Sequence, residues 1–292
     1  MRAFEVAALA TPVLDADLGS AESMSSDGAR QRGLARTAHR VVVLALLGVW
    51  TLVLAPLQAL LNGLGLSAAR NLPVVFFRGC AKLLRLRVHV DGTPIEGHPV
   101  LFVANHASFL DIVALGSMLP VAFLSRADVD SWPGIGLIAR LGRTEYTGRS
   151  RSGLADEAAR VRARLRAGDS LVLFPEATTG DGEHLLPFKS AFFAAVEGAD
   201  DITVQPVALD YALSGGRRLD GAGRVRFAWG RTQSLAEHFD AILAQPPLTI
   251  VVRLLPALRA DPAGGRKDLA AQSRQNIEAA LLAARGCPAA SG

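Results

Sequence analysis

Two short blocks of this chain hold residue types that can move a proton. The first is Asn105-His106-Ala107-Ser108-Phe109-Leu110-Asp111, which follows the apolar run Phe102-Val103-Ala104. A carboxylate five positions after the histidine can hold one ring nitrogen and leave the other free to deprotonate a hydroxyl group. That is the orienting role an aspartate plays in a catalytic triad. Asn105 falls at the end of the apolar run, and Ser108 is placed to cap a following helix. The second block, Phe174-Pro175-Glu176-Ala177-Thr178, closes the run Leu171-Val172-Leu173-Phe174. Pro175 ends that run, which puts Glu176 at an equivalent position to His106. Glu176 can hydrogen-bond a substrate hydroxyl or brace the histidine loop, and Thr178 and Thr179 offer donors to an anionic group. The plainer readings are a histidine bonded within a turn and a glutamate in a structural ion pair.

Positioning two such blocks side by side takes a sheet. Short apolar runs alternate with helical patterns, which predicts an α/β arrangement. Strands are expected at 86–90, 100–104, 121–124, 170–174, 202–209, 225–229 and 248–254, and helices at 109–118, 135–141, 153–167, 188–196, 234–243 and 267–284. The helix at 153–167 carries Leu154, Ala158, Val161 and Leu165 on one face, with Gly168 as its stop. Open α/β sheets place their sites at the carboxyl ends of strands, where both blocks fall.

The two blocks, in this order, resemble the N-H-x-S-x-x-D and F-P-E-G-T hallmarks of the glycerolipid acyltransferase family. Arg143-Thr144-Glu145-Tyr146-Thr147-Gly148-Arg149 resembles the family's second motif, with Arg149 as the matching cation. An arginine fork holds phosphate or carboxylate bidentately, so the resemblance makes Arg149 the headgroup ligand. Arg126 and Lys189 could add to a basic patch. Val204-Gln205-Pro206-Val207-Ala208-Leu209 looks like the fourth motif, assigned to the core and the acyl-chain wall. Two positions depart from the pattern: Arg143 stands where many members have Gly, and so does Ala177. The second departure puts a Cβ on backbone that could need positive φ or close approach to substrate.

The resemblance covers roughly residues 80–260, and the stretches 131–140 and 185–191 look closest to bacterial members that acylate lysophosphatidic acid or lyso-ornithine lipid. It implies a mixed sheet flanked by helices, behind an N-terminal membrane-embedded helical segment. It also implies transfer of a fatty acyl group from acyl-CoA or acyl-carrier protein to the free hydroxyl of a lysolipid, with His106 and Asp111 catalytic and no metal or other cofactor. The hydroxyl would attack the thioester directly, without an acyl-enzyme. The default acceptor is 1-acyl-sn-glycerol-3-phosphate, giving phosphatidate, and lyso-ornithine lipid is a close competitor. The expected location is the bacterial inner membrane, with the catalytic domain facing the cytoplasm. A reading of another class is a non-catalytic membrane-binding scaffold that retains the fold. The chain has no H-E-x-x-H, P-loop or G-x-S-x-G pattern that would point to metal, nucleotide or serine-hydrolase chemistry.

Composition agrees with a membrane partner. Of 292 residues, 50% are hydrophobic, and the mean hydropathy is +0.28. No charged residue occurs from 41 to 69, a length that can cross a bilayer, but Pro56 and Asn62-Gly63-Leu64-Gly65 interrupt it. Arg30, Arg32, Arg36 and Arg40 precede the stretch; Arg70, Arg78, Lys82, Arg85 and Arg87 follow it. Positive charge on both flanks suits a helical hairpin dipping into one leaflet better than a single crossing. A buried core helix is the alternative. The expected division is a disordered basic tail at 1–38, the hairpin at 39–88, the catalytic domain at 89–260, and a C-terminal helix and tail at 261–292. A net charge of +4 and a pI near 9.6 suit anionic headgroups. Nucleic acid is the poorer reading, because no recognition helix, zinc finger or RNA-binding signature is present. Cys80 and Cys287 show no C-x-x-C spacing and are expected to be structural or incidental.

Overall fold

The computed structural model describes residues 18–95, 99–132, 135–147, 154–199, 201–230, 232–259 and 265–286; among these, the side chains of 18–30, 32, 126–128, 147 and 154 fall outside the description. The chain divides into two compact units, Met1–Val42 and Val43–Gly292. In the first, the described residues are helical and the side chains of 33–42 are exposed. They belong to α1 (Leu18–Gly63), which runs through Pro56 without ending there. The Asn62-Gly63-Leu64-Gly65 cluster is the true stop. Within Gly33–Gly63 of α1, the most apolar window has mean hydropathy 2.2, and 11% of it is buried.

In the second unit, a 3-10 turn (Ser67–Arg70) leads to α2 (Leu72–Leu83). Trp50 Nε1 of α1 donates to Phe76 O of α2 at 3.1 Å, which ties the two apolar helices together. Then follow β1 (Leu86–Asp91), β2 (Val100–Ala104), α3 (Phe109–Met118), β3 (Val121–Arg126), α4 (Ile135–Leu141), β4 (Glu145–Thr147), α5 (Leu154–Arg166) and β5 (Ser170–Leu173). The chain continues through a 3-10 segment (Ser190–Ala195), β6 (Thr203–Ser214), β7 (Arg217–Arg218), α6 (Gly221–Val225), α7 (Leu235–Leu243), β8 (Leu248–Leu254) and α8 (Gly265–Arg285). The sheet order is β1-β8-β6-β2-β5-β3-β4, with β7 paired to β6. Strands β6, β2, β5, β3 and β4 are mutually parallel, while β8 runs antiparallel to β6 and carries β1 parallel to itself. The result is the expected mixed sheet flanked by helices.

β2 lies at the centre and is buried at every position, as a parallel strand covered on both faces must be. Phe102 and Ala104 join Cys80 and Ala81 of α2 and Leu110 and Leu115 of α3 in one core. Leu101 and Val103 join Val161 and Leu165 of α5 and Leu269 of α8 in the other. Burial pushes the Cys80 thiol up to about 12, which suits a packing residue and not a nucleophile. Cys287 lies outside the described residues.

Three expectations need correction. Residues 225–229 are not a strand: Asp220 caps α6 by accepting from Gly223 N, and Trp229 N donates to Ala107 O, so tertiary bonds override the β-propensity of Val225 and the aromatics. The helix at 188–196 is a 3-10 segment, whose carbonyls at Ala194 and Ala195 are taken by the Arg162 guanidinium. The expected tail at 1–38 is helical from Leu18 onward. By their contacts, residues 43–88 and the C-terminal helix fall in the same compact unit as 89–260.

A second polar feature organises the edge beneath α5. Asp169 is 5% exposed and pairs with Arg70 Nε at 2.9 Å, Arg143 Nη2 at 2.7 Å and Arg164 Nη2 at 2.9 Å. Arg143 adopts φ +60°, a conformation in which glycine is at ease. Its side chain explains why an arginine is kept there: it joins the approach to β4 to the carboxylate before β5.

Candidate active site

The first residues of α3 build a cage for one carboxylate. Ser108 caps the helix and accepts from Leu110 N at 3.3 Å, and Asp111 reaches back to the turn. Asp111 Oδ2 accepts from Ala107 N at 2.6 Å, from Ser108 N at 2.9 Å and from His106 Nδ1 at 2.9 Å. Its Oδ1 accepts from the Tyr211 hydroxyl at 2.8 Å. Every partner is a donor, so the ring hydrogen of His106 sits on Nδ1 and Nε2 keeps its lone pair. Asp111 is fully buried, whereas the His106 side chain is 16% exposed. One face of the imidazole stacks on Phe174, with centroids 4.1 Å apart and planes at 19°.

The second block holds the backbone of the first. Because β2 and β5 are parallel neighbours, Glu176 follows β5 beside His106. Glu176 Oε1 accepts from His106 N at 2.8 Å, Oε2 accepts from Leu186 N at 3.1 Å, and Gly180 N donates to His106 O at 2.7 Å. Of the two roles expected for Glu176, its contacts are those of the brace. Gly180 has little freedom to change, since a Cβ there would come 3.3 Å from Glu176 Oε2. On the other side Asn105 clasps β6, donating to Leu209 O at 3.0 Å and accepting from Leu209 N at 2.8 Å.

The remaining candidates are distributed unevenly. Thr179 Oγ1 donates to Trp229 O at 3.0 Å, which uses the proton expected for a headgroup. Thr178 is half-buried and the Lys189 side chain is exposed. Arg149 lies outside the described residues, as does the side chain of Arg126. Residues 204–209 are buried within β6, so they are core. An apolar recess lined by Leu54, Ala55, Phe76, Phe77 and Ile138 lies between α1, α2 and α4. A row of rings leads from it to the site: Phe77 to Phe123 at 6.0 Å, Phe123 to Phe174 at 6.3 Å, then His106.

Ala177, in the turn after β5, has φ +60°. A non-glycine residue in this region costs roughly 1–2 kcal/mol. Ala177→Gly is therefore expected to raise the unfolding midpoint, by about 1 kcal/mol in stability, without loss of activity. A thermal melt of the detergent-solubilised pair checks it.

Two groups that the sequence left unmarked, Tyr211 and His238, also belong to the site. His238 is 1% exposed and shares a 2.8 Å hydrogen bond with Ser108 Oγ. It stacks on Trp229 at 5.8 Å. Burial pushes its pKa down to about 4, against the pull of Asp111. Burial pushes Glu176 up to about 7, against the two backbone donors and His106. These shifts oppose each other in their effect on stability. As pH rises from 4.5, the unfolded chain ionises its glutamate while the folded one holds the proton, and stability falls. As pH rises towards 6.5, the unfolded chain gives up the histidine proton that the folded one never took, and stability rises. Glu176→Gln removes the first slope. Relative to the parent, stability of that variant is expected to climb with pH by roughly 2–3 kcal/mol across this window. Denaturant unfolding at several pH values measures it.

A family model described as Acyltransferase matches residues 85–210. A lyso-ornithine lipid O-acyltransferase of Brucella abortus (strain 2308) is 34% identical over 250 residues, covering 83% of this chain and 94% of the relative. A 1-acyl-sn-glycerol-3-phosphate acyltransferase of Neisseria meningitidis serogroup B is 35% identical over 158 residues, covering 53% of this chain and 61% of the relative. The crystal structure of a 1-acyl-sn-glycerophosphate acyltransferase from Thermotoga maritima superposes with TM-score 0.59 at 16% identity, over 87% of this chain and 99% of that one. At that identity the likeness is one of fold.

Proposed function

This chain belongs to the acyltransferase family, and from that premise we propose that it esterifies the free hydroxyl of lyso-ornithine lipid. It is an enzyme whose acceptor is a lysolipid; the choice among lysolipids is our reading. The relatives named for lyso-ornithine lipid support it, since the one from Brucella abortus matches over 83% of this chain, against 53% for the relative from Neisseria named for 1-acyl-sn-glycerol-3-phosphate.

The observation that carries the chemistry is the His106 ring held at Nδ1 by Asp111, with Nε2 making no hydrogen bond among the described residues. In our mechanism the acceptor hydroxyl approaches Nε2 and gives up its proton as its oxygen attacks the acyl thioester carbonyl. The tetrahedral intermediate then collapses, the C–S bond breaks, and His106 returns the proton to the departing thiolate. Asp111 stabilises the imidazolium between the two steps. Glu176 keeps the histidine loop in register. Arg149, with Arg126 and Lys189 adding positive charge, is proposed to hold the carboxylate or phosphate of the headgroup, and Thr178 to add a donor. The apolar recess beside α1 and α2 is proposed to take the acyl chain. Acyl-CoA or acyl-carrier protein serves as donor, with no metal or other cofactor and no nucleic acid partner. The apolar part of α1 is proposed to hold the enzyme at the bacterial inner membrane with the sheet on the cytoplasmic side.

A second reading, acylation of lysophosphatidate to phosphatidate, draws on the name of the Neisseria relative. Mass spectrometry of products distinguishes them, after incubating the solubilised enzyme with acyl-CoA or acyl-carrier protein and each lysolipid in turn. Acylated ornithine lipid alone is the expected result, and phosphatidate alone would replace our reading with the second. The absence of product in every pairing would favour a non-catalytic scaffold.

A further inference from the structure

We propose that Tyr211 is a positioning residue that sets how strongly Asp111 holds the His106 ring, an inference that rests on reading His106 as the base. His106 and Asp111 come from the end of β2 and the start of α3, but Tyr211 comes from β6. The neighbouring strand thus delivers a phenol to the side of the carboxylate away from the histidine. Its hydroxyl donates to Asp111 Oδ1 at 2.8 Å. The residue is 2% exposed, and its ring packs edge-on against Phe227 at 6.4 Å.

The four donors on Asp111 are not equivalent. Two are backbone N–H groups fixed by the cap of α3, and one is the His106 ring itself. Tyr211 is the side-chain donor beyond that ring, placed where water could not serve in its stead. Each hydrogen bond to a carboxylate draws charge towards its donor and weakens the oxygen's hold on the others. The phenol therefore competes with the imidazole for Asp111. It competes as a neutral donor, because burial and the adjacent carboxylate push its pKa well above the usual tyrosine value. The titratable groups packed about the pair include Glu176 after β5, Tyr211 on β6, and His238 on α7, which acts through Ser108.

The test uses the full-length, detergent-solubilised enzyme, with Tyr211→Phe and, as a variant that keeps the hydroxyl, 3-fluorotyrosine in place of Tyr211. Two quantities are read: the proton resonance of His106 Nδ1–H and the pH profile of kcat/KM. Loss of the phenol is expected to strengthen the His106–Asp111 bond. The resonance then moves downfield, and the acid limb of the profile moves up by about one pH unit, with KM for the acceptor little changed. The fluorinated phenol is a stronger donor and is expected to move both in the opposite direction. If activity falls in Tyr211→Phe while the resonance and the profile stay in place, the residue is only packing and the inference is overturned. Should the phenylalanine variant not fold, an unmoved resonance with 3-fluorotyrosine overturns it equally. A resonance that moves in both variants while the rate profile does not would leave the coupling intact and remove His106 from the role of base.

Discussion

His106→Ala is expected to lower acyl transfer by roughly 10³-fold while leaving the fold and membrane binding in place. Asp111 would lose one of its four donors and keep Ala107 N, Ser108 N and the Tyr211 hydroxyl. The carboxylate therefore stays satisfied, and the cap of α3 survives. The side chain is partly exposed, so its removal opens no sealed cavity; the principal packing loss is the stack on Phe174. Product formation from a lysolipid and acyl-CoA, measured beside flotation of the variant with lipid vesicles, separates the two properties. Near-normal turnover with normal flotation would sink the mechanism. Asp111→Asn is a harsher change, because an amide NH2 takes the place of one carboxylate oxygen and meets groups that had donated to it. It should lose both activity and stability.

The second large effect concerns stability alone. Asp169→Ala is expected to destabilise the catalytic unit by roughly 2–3 kcal/mol, less than for a fully buried pair because the arginines left behind are partly in water. The reason lies in the asymmetry of the cluster: one buried carboxylate serves Arg70, Arg143 and Arg164. Its removal leaves three guanidinium groups facing one another around the start of β5. Burial opposes ionisation of Asp169, but the hydrogen bond from Arg164 and the charges of Arg143 and Arg164 hold its pKa below the usual aspartate value. That stabilisation is present at neutral pH and is lost as pH falls through the depressed value. Arg143→Ala should be much milder, since Asp169 keeps two partners. Denaturant midpoints of the two variants check both statements, and equal losses would contradict the hub.

Residues close in sequence were the legible ones. The chain's reversal after β2 is encoded locally, by a cap serine with an aspartate three positions on, so both the limits of α3 and the meeting of His106 with Asp111 follow from spacing. β2, α4 and β8 were legible for a similar reason, as apolar runs with clear stops. Glu176 could be placed because two parallel strands end together. Tyr211 and His238 could not, since they meet their partners across 100 and 130 residues. A tyrosine in an apolar strand and a histidine on a helix face carry no local mark of the carboxylate or hydroxyl they will find. The segment 225–229 failed for the converse reason. Its composition suits a strand, but the Asp220 cap and the bond from Trp229 N to Ala107 O draw it into a helix and loop.

The sheet order also has a consequence in time. β2 leaves the ribosome before either of its neighbours, because it pairs with β5 on one side and β6 on the other. Until residue 211 has been made, the carboxylate cannot receive its phenol, and until 176 has been made the histidine loop has no brace. Pairings of such long sequence separation make for slow folding, and β2, wholly apolar, waits meanwhile with both edges open. The proposed reactive centre begins in the first half of the chain and is completed late, so a nascent fragment ending before β6 would carry His106 and Asp111 without the partners they meet in the fold.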